Sequence, residues 1–85
     1  MNQRARRFNL FPNPAGEQIT FQAPANESVM TYSIYDCLGK LVKQEKINGK
    51  SPVSTDIDVS YLEQGIYVFR IETEKAADQV LFIKN

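Results

Sequence analysis

The sequence predicts an all-β fold, in which short antiparallel strands pack as a two-layer sandwich. Short apolar runs recur at a spacing of about 8–12 residues, separated by Pro, Gly, Asn and Asp. Within runs such as Met30–Ile34, apolar and polar residues alternate, which is the period of a strand with one buried face. No stretch long enough to form a helix has its apolar residues spaced at the period of a helix. With 85 residues, the chain has the size of one such domain.

The first strands are predicted on either side of a proline-containing turn. Phe8–Phe11 is a short apolar segment that ends at Pro12 and Pro14, and these prolines exclude a helix and favour extended geometry. Gln18–Phe21 alternates and forms the second strand. A loop is expected over residues 24–28.

The middle of the chain reads as a hairpin. Met30–Ile34 and Leu41–Ile47 are its two strands, and Asp36–Gly39 is its turn. Gly39 is free to take a positive φ. Asp36 is interpreted as a turn former, because its carboxylate can accept hydrogen bonds from nearby backbone N–H groups.

The second half contributes three more strands. Asn48–Gly49 is a strong hairpin signal, because both residues tolerate left-handed geometry. Val53–Val59 follows, and Gly65–Glu72 is the strongest strand of the chain. A polar turn over residues 74–78 is expected to lead into the last strand, Gln79–Lys84.

The spacing of Leu62, Gly65 and Tyr67 is that of a tyrosine corner, in which a Tyr near a strand start donates its OH to upstream backbone. Apolar residues on both faces of Gly65–Glu72 favour a central strand, or one covered on both sides. A small open barrel is the alternative. The corner spacing favours the sandwich, so we predict a seven-stranded immunoglobulin-like antiparallel β-sandwich.

Composition excludes several functions. Ten basic and ten acidic residues give zero net charge, which argues against a general nucleic-acid or anionic-membrane surface. The chain has no His and a single cysteine, Cys37, so it lacks the commonest general base and allows no internal disulfide or cysteine-based metal cluster. No cofactor is expected. No secretory signal or membrane-spanning stretch is visible, so any export signal peptide is expected on a missing upstream part.

The remaining candidate groups do not form an active site. Asp56 and Asp58 project to the same face of a strand, where paired acids could serve acid–base or calcium chemistry, but a small sandwich offers no deep cleft. They are interpreted as a solvated face, and Cys37 as a small hydrophobe at a turn. We therefore predict that the domain is not an enzyme.

Four landmarks occur together in a fixed order. They are Leu10–Pro14, Ile34–Lys40, Leu62–Tyr67 and Phe82–Lys84. In these landmarks the sequence resembles the C-terminal sorting domain of cargo exported by the type IX (Por) secretion system of Bacteroidetes, in its type A form. The resemblance covers residues 8–85 and leaves residues 1–7 as a linker or as residues added for expression.

The resemblance implies a non-catalytic address label. Cargo of this family reaches the periplasm by a signal peptide, and its last domain is recognised by the outer-membrane type IX translocon and its shuttle components. A sortase then cleaves upstream of the domain while the cargo goes to the cell surface or the extracellular space. Self-association through an edge strand is also possible on this interpretation.

The resemblance also assigns residues by position. Those carried over as structural motif are Pro12, Asn13, Pro14, Asp36, Gly39, Lys40, Leu62, Gly65 and Tyr67. Translocon recognition is expected in the last two strands, at Gly65, Tyr67, Val68, Arg70, Val80, Phe82, Ile83 and Lys84. The uncharged Gln79–Leu81 departs from the family pattern and leaves the charge of the last strand to Lys84.

The alternative function is an accessory immunoglobulin-like module that binds carbohydrate or stabilises a neighbouring catalytic domain. Sugar binding would need an exposed aromatic platform with polar partners. Tyr32, Tyr35, Tyr61 and Tyr67 are the candidates, of which Tyr32 and Tyr67 are expected in the core.

Overall fold

The computed structural model describes residues 8–24, 29–48, 52–74 and 76–85, and within these ranges the chain forms seven strands and no helix. The strands are β1 (Asn9–Phe11), β2 (Gln18–Ala23), β3 (Val29–Tyr35), β4 (Leu41–Asn48), β5 (Val53–Asp58), β6 (Gly65–Glu72) and β7 (Ala77–Lys84). No helix suited by length and apolarity to crossing a membrane occurs in the described ranges.

The strands form two antiparallel sheets. One has the order β1-β2-β5 and the other the order β4-β3-β6-β7. The predicted all-β sandwich is thus confirmed, with β6 as a central strand between β3 and β7. The immunoglobulin-like assignment stays a prediction. β7 and β4 are the edge strands of the four-stranded sheet.

The core lies between the two sheets and is rich in aromatic rings. Phe69 of β6 has its ring centroid 5.8 Å from that of Phe8, 5.4 Å from that of Phe21 and 5.4 Å from that of Tyr32. Phe21 and Phe69 are fully buried. Aromatic pairs at these separations add to the stabilisation from apolar burial, so Phe69 joins the two sheets through its ring contacts.

The predicted hairpin turn between β3 and β4 is confirmed. Gly39 has a φ of 86°, a left-handed value that glycine adopts without steric cost. The Asp36 carboxylate accepts hydrogen bonds from the N–H groups of Leu38 and Lys40, both at 2.9 Å. The Asp36 side chain and the glycine together fix the turn.

Several predicted strand ends are wrong by one or two residues, since β1 begins at Asn9, β2 ends at Ala23, β3 spans Val29–Tyr35 and β4 ends at Asn48. β5 ends at Asp58 rather than Val59, although Val59 is fully buried. β7 begins at Ala77, inside the predicted polar turn, because Ala77 and Asp78 pair with the end of β6. Pairing with a neighbouring strand outweighs the low strand propensity of Ala and Asp.

Three further predictions fall wholly or partly outside the described residues. They are the linker at residues 1–7, the loop at residues 24–28 and the hairpin signal at Asn48–Gly49, of which only residues 24 and 48 are described.

The ring cluster generates a stability prediction. Phe69→Ala removes a buried ring that touches three others, and large-to-small changes of this kind cost about 3–5 kcal/mol. Urea denaturation followed by circular dichroism measures the loss. Leu38→Ala is the control, because Leu38 is 90% exposed and its loss is expected within about 0.5 kcal/mol of the wild type. Equal unfolding midpoints for the two variants would contradict this role of Phe69.

Candidate functional site

The tyrosine corner forms at the start of β6. The Tyr67 hydroxyl donates a hydrogen bond to the backbone carbonyl of Glu63 at 2.7 Å, and its ring stacks on Phe82 of β7 at a centroid distance of 5.6 Å. Gly65 has a φ of 154°, outside the usual range of other residues. Leu62 is buried. The Leu62–Tyr67 motif therefore fixes the start of β6 and packs it against β7.

Both buried tyrosines have raised pKa values. For Tyr67, burial is the main cause that raises the pKa above its ordinary value of 10.0, and the nearby negative charge of Glu63 adds to it. For Tyr32, burial again comes first, followed by the hydrogen bond of its hydroxyl to Glu45 at 3.1 Å. Both phenols stay neutral at physiological pH, as structural hydroxyl groups do.

The pleat divides the predicted recognition residues into two sets. Tyr67 and Phe82 are buried in the core, and Val80 packs against it in a partly buried position. Lys84 is also buried, and its Nζ donates to the backbone oxygen of Asn85 at 2.8 Å. These four side chains point away from any partner that approaches the outside of the sheet.

The second set lies on the solvent side of the sheet, or at its end. Val68, Arg70 and Ile83 occupy the alternate positions that face outward, and Gly65 is exposed at the beginning of β6. Arg70 donates hydrogen bonds to Gln79 at 3.1 Å and to Glu72 at 3.4 Å. The charge of Arg70 is therefore held in place by two polar neighbours.

Two apolar residues that sequence reasoning did not select complete this surface. Ile66 pairs with Ile83 and Leu81 pairs with Val68 across β6 and β7, and Ile66, Leu81 and Ile83 are 53%, 57% and 46% exposed. We call Ile66, Val68, Leu81 and Ile83 the outer face. On the solvent side, the first two cross-strand pairs of β6 and β7 are apolar, and polar residues begin at the pair of Arg70 and Gln79. The period of two along each strand was therefore the sequence signal for this surface.

A shallow groove runs along the outer face. It has a volume of about 580 Å³ and extends from the Asp36–Gly39 turn past Ile66 and Val68 to Leu81 and Gln79. Contiguous exposed apolar surface of this kind marks interaction sites more often than isolated exposed residues do.

The proline-containing turn lies against the edge of β7. The side chain of Asn13 accepts a hydrogen bond from the N–H of Ile83 at 2.9 Å and donates one to the carbonyl of Leu81 at 3.3 Å. Ala15 donates its N–H to the carbonyl of Ile83 at 2.6 Å and accepts from the N–H of Asn85 at 2.9 Å. This part of the structural motif thus contacts the predicted recognition strand directly.

The two candidate carboxylates have structural partners. The Asp56 carboxylate accepts from the Thr20 hydroxyl at 2.8 Å. Hydrogen bonds from Ser60 lower the pKa of Asp58. Cys37 is exposed. Among the residues described, no three His, Cys, Asp or Glu side chains gather as a metal site would require.

The tyrosines do not form a shared platform. Tyr32 and Tyr67 are buried, Tyr35 is half-buried and Tyr61 is 56% exposed. Carbohydrate-binding surfaces of the stacking kind need several exposed rings, so the accessory-module alternative gains no support from this arrangement.

Comparison with known proteins adds a family match. Residues 9–85 match the family model described as the secretion system C-terminal sorting domain. No curated protein matches the chain.

The tyrosine corner gives a second prediction. Tyr67→Phe keeps the ring on Phe82 but leaves the Glu63 carbonyl without its phenol donor, so the free energy of unfolding should fall by about 1–2 kcal/mol. Thermal and urea denaturation measure the change. Tyr61→Phe is the matched control, because Tyr61 is exposed. An unchanged midpoint for Tyr67→Phe would show that the hydroxyl does not stabilise the corner.

The raised tyrosine pKa values predict a pH dependence. Above pH 10 the unfolded chain loses phenol protons that the folded domain keeps at Tyr32 and Tyr67. The unfolded state then binds fewer protons, so stability decreases as pH rises. Urea midpoints at pH 8, 9, 10 and 11 should fall over the last interval, and less steeply in Tyr32→Phe. Equally steep falls in both proteins would contradict the assignment to Tyr32.

Proposed function

Since the chain belongs to the family of type IX secretion system C-terminal sorting domains, we propose that it is a non-catalytic signal that directs an upstream cargo protein through the outer-membrane translocon. Membership implies interaction with the type IX machinery and export to the cell surface or the extracellular space. The all-β fold with its last two strands exposed on one side is compatible with such a signal.

The finer steps belong to the same proposal. The cargo would enter the periplasm with a signal peptide, be carried by shuttle components to the translocon, and lose this domain to a sortase that cleaves upstream of it. We place that cleavage within residues 1–9, on the N-terminal side of the domain, where β1 begins to pair with β2.

The outer face is the observation that carries the proposal. Four apolar side chains of β6 and β7 are arranged in two cross-strand pairs, and three of them are about half exposed. Among the predicted recognition residues, Val68, Arg70 and Ile83 lie on this side. The core side chains Tyr67 and Phe82 would act by holding the two strands in register rather than by touching a partner.

An edge strand beside the outer face suits a signal that many cargo proteins share. β7 is an edge strand of its sheet, and a partner strand can pair with the main chain of an edge whatever its side chains are. Apolar contacts on the outer face would then add affinity.

An export assay tests this function. Residues 1–85 are fused behind a fluorescent protein that carries a signal peptide, and the fusion is expressed in cells with and without a working type IX translocon. We expect surface or extracellular fluorescence only where the translocon works. Retention in the periplasm of competent cells, or equal export by both strains, would refute the proposal.

Outer-face variants give a prediction about export. Ile66→Thr together with Leu81→Ser removes two exposed apolar side chains, each worth on the order of 1 kcal/mol in an interface, so export should fall by about tenfold or more. Thermal stability should change little. Leu41→Ser is the control, because Leu41 is similarly exposed, at 46%, but lies on β4. Wild-type export of the double variant would remove the outer face from the recognition surface.

A further inference from the structure

The main-chain groups of β7 that point away from β6 belong to its odd-numbered residues. Ile83 directs both its N–H and its carbonyl away from β6, towards Asn13 and Ala15. Side-chain and hydrogen-bond directions alternate along an antiparallel strand, and β7 pairs with β6 without a register shift. Ala77, Gln79 and Leu81 therefore also present main-chain groups to this side.

The C-terminal half of this edge is closed. The carboxamide of Asn13 offers one acceptor and one donor, and it uses them on Ile83 and Leu81, which lie 70 and 68 positions later in the sequence. Ala15 continues the pairing as a parallel bridge to Lys84, with its hydrogen bonds to Ile83 and Asn85. A short segment thus occupies the place of a neighbouring strand.

The N-terminal half of the edge is open by comparison. Among the residues described, the contact on this side of Ala77 and Gln79 is local: the N–H of Gln79 donates to the carboxylate of the preceding Asp78 at 2.9 Å. An acidic side chain on an edge strand is a common guard against pairing with another chain. The two halves of β7 are therefore protected by different means.

We propose that Asn13–Ala15 is an edge clip that limits the part of β7 along which a second copy of this chain can pair. An antiparallel, two-fold symmetric pairing of two β7 strands can centre on Gln79 while the clip is present, and it then stops near Leu81. Loss of the Asn13 contacts adds the carbonyl of Leu81 and the N–H of Ile83 to the groups that can pair, with the exposed side chains of both residues beside the new neighbour. If the chain acts as the proposed sorting signal, the clip keeps that signal monomeric and its outer face free. The clip itself does not depend on the sorting function.

The test compares Asn13→Ala with Asn13→Asp in the full chain of 85 residues. Asn13→Asp keeps an oxygen acceptor for the N–H of Ile83 but loses the donor to Leu81, whereas Asn13→Ala loses both. Asn9→Ala is the matched control, because Asn9 is an exposed asparagine of β1. Amide hydrogen exchange is followed by NMR in dilute samples, and association by sedimentation equilibrium over a range of concentrations.

Asn13→Ala should raise the exchange rate of the Ile83 amide by about tenfold or more, while the amide of Phe69 in β6 keeps its protection. The same variant should form dimers at concentrations at which the wild type and Asn9→Ala are monomers. Asn13→Asp should keep the Ile83 amide within about threefold of the wild-type rate. Protection of Ile83 that is unchanged in Asn13→Ala, or equal dimerisation of all four proteins, would overturn the proposal.

A proline locates the dimer contact. Gln79→Pro removes an N–H that points away from β6, which an edge strand tolerates, and in the Asn13→Ala background it should abolish the dimer. Gln79→Ala in that background keeps the N–H and should leave the dimer intact. A dimer that survives Gln79→Pro would overturn pairing through β7.

If Asn13→Ala does not fold, Asn13→Ser serves for every comparison. None of these measurements depends on export, so failure of the sorting function and failure of the clip are distinguishable.

Discussion

The alternation of side chains along β6 is the constraint on which the rest of the molecule depends. This strand is paired on both sides, with β3 and with β7, so neither its register nor its faces can change without breaking two ladders. Its inward residues Tyr67, Phe69 and Ile71 are buried, and its outward residues begin with the exposed Ile66. A shift by one residue would exchange the core and the outer face.

The start and the middle of β6 are held by different contacts. At its start, the Tyr67 hydroxyl is bonded to the backbone of Glu63, and its ring stacks on Phe82. Along its middle, Phe69 reaches the rings of the opposite sheet through Phe21. The core residues of β6 and β7 thus fix the positions of the solvent-facing residues without facing the solvent themselves.

Local patterns in the sequence were enough to predict most strands. Met30–Ile34 and Gly65–Glu72 alternate so regularly that their buried faces follow directly, and the turn at Asp36–Gly39 is specified by its own residues. Non-local pairing was not predictable in the same way. The pairing of Ile66 with Ile83, the inclusion of Asp78 in β7 and the contact of Asn13 with Ile83 all depend on which strands become neighbours. The recognition residues have a different history: they were assigned by position from the resemblance, which did not separate the core face of the last two strands from the solvent face.

The segment from Asn9 to Ala15 has a mechanical consequence. Its first part pairs with β2 in one sheet, and its last residue bonds to β7 in the other. Tension applied to the chain ahead of Phe8 would therefore act first on the packing of the Phe8 ring against Phe21 and on the β1–β2 ladder, and then on the bonds of Asn13 and Ala15 to β7. The hydrogen bonds that connect the two sheets at this corner would therefore also transmit a force on the preceding chain into the domain.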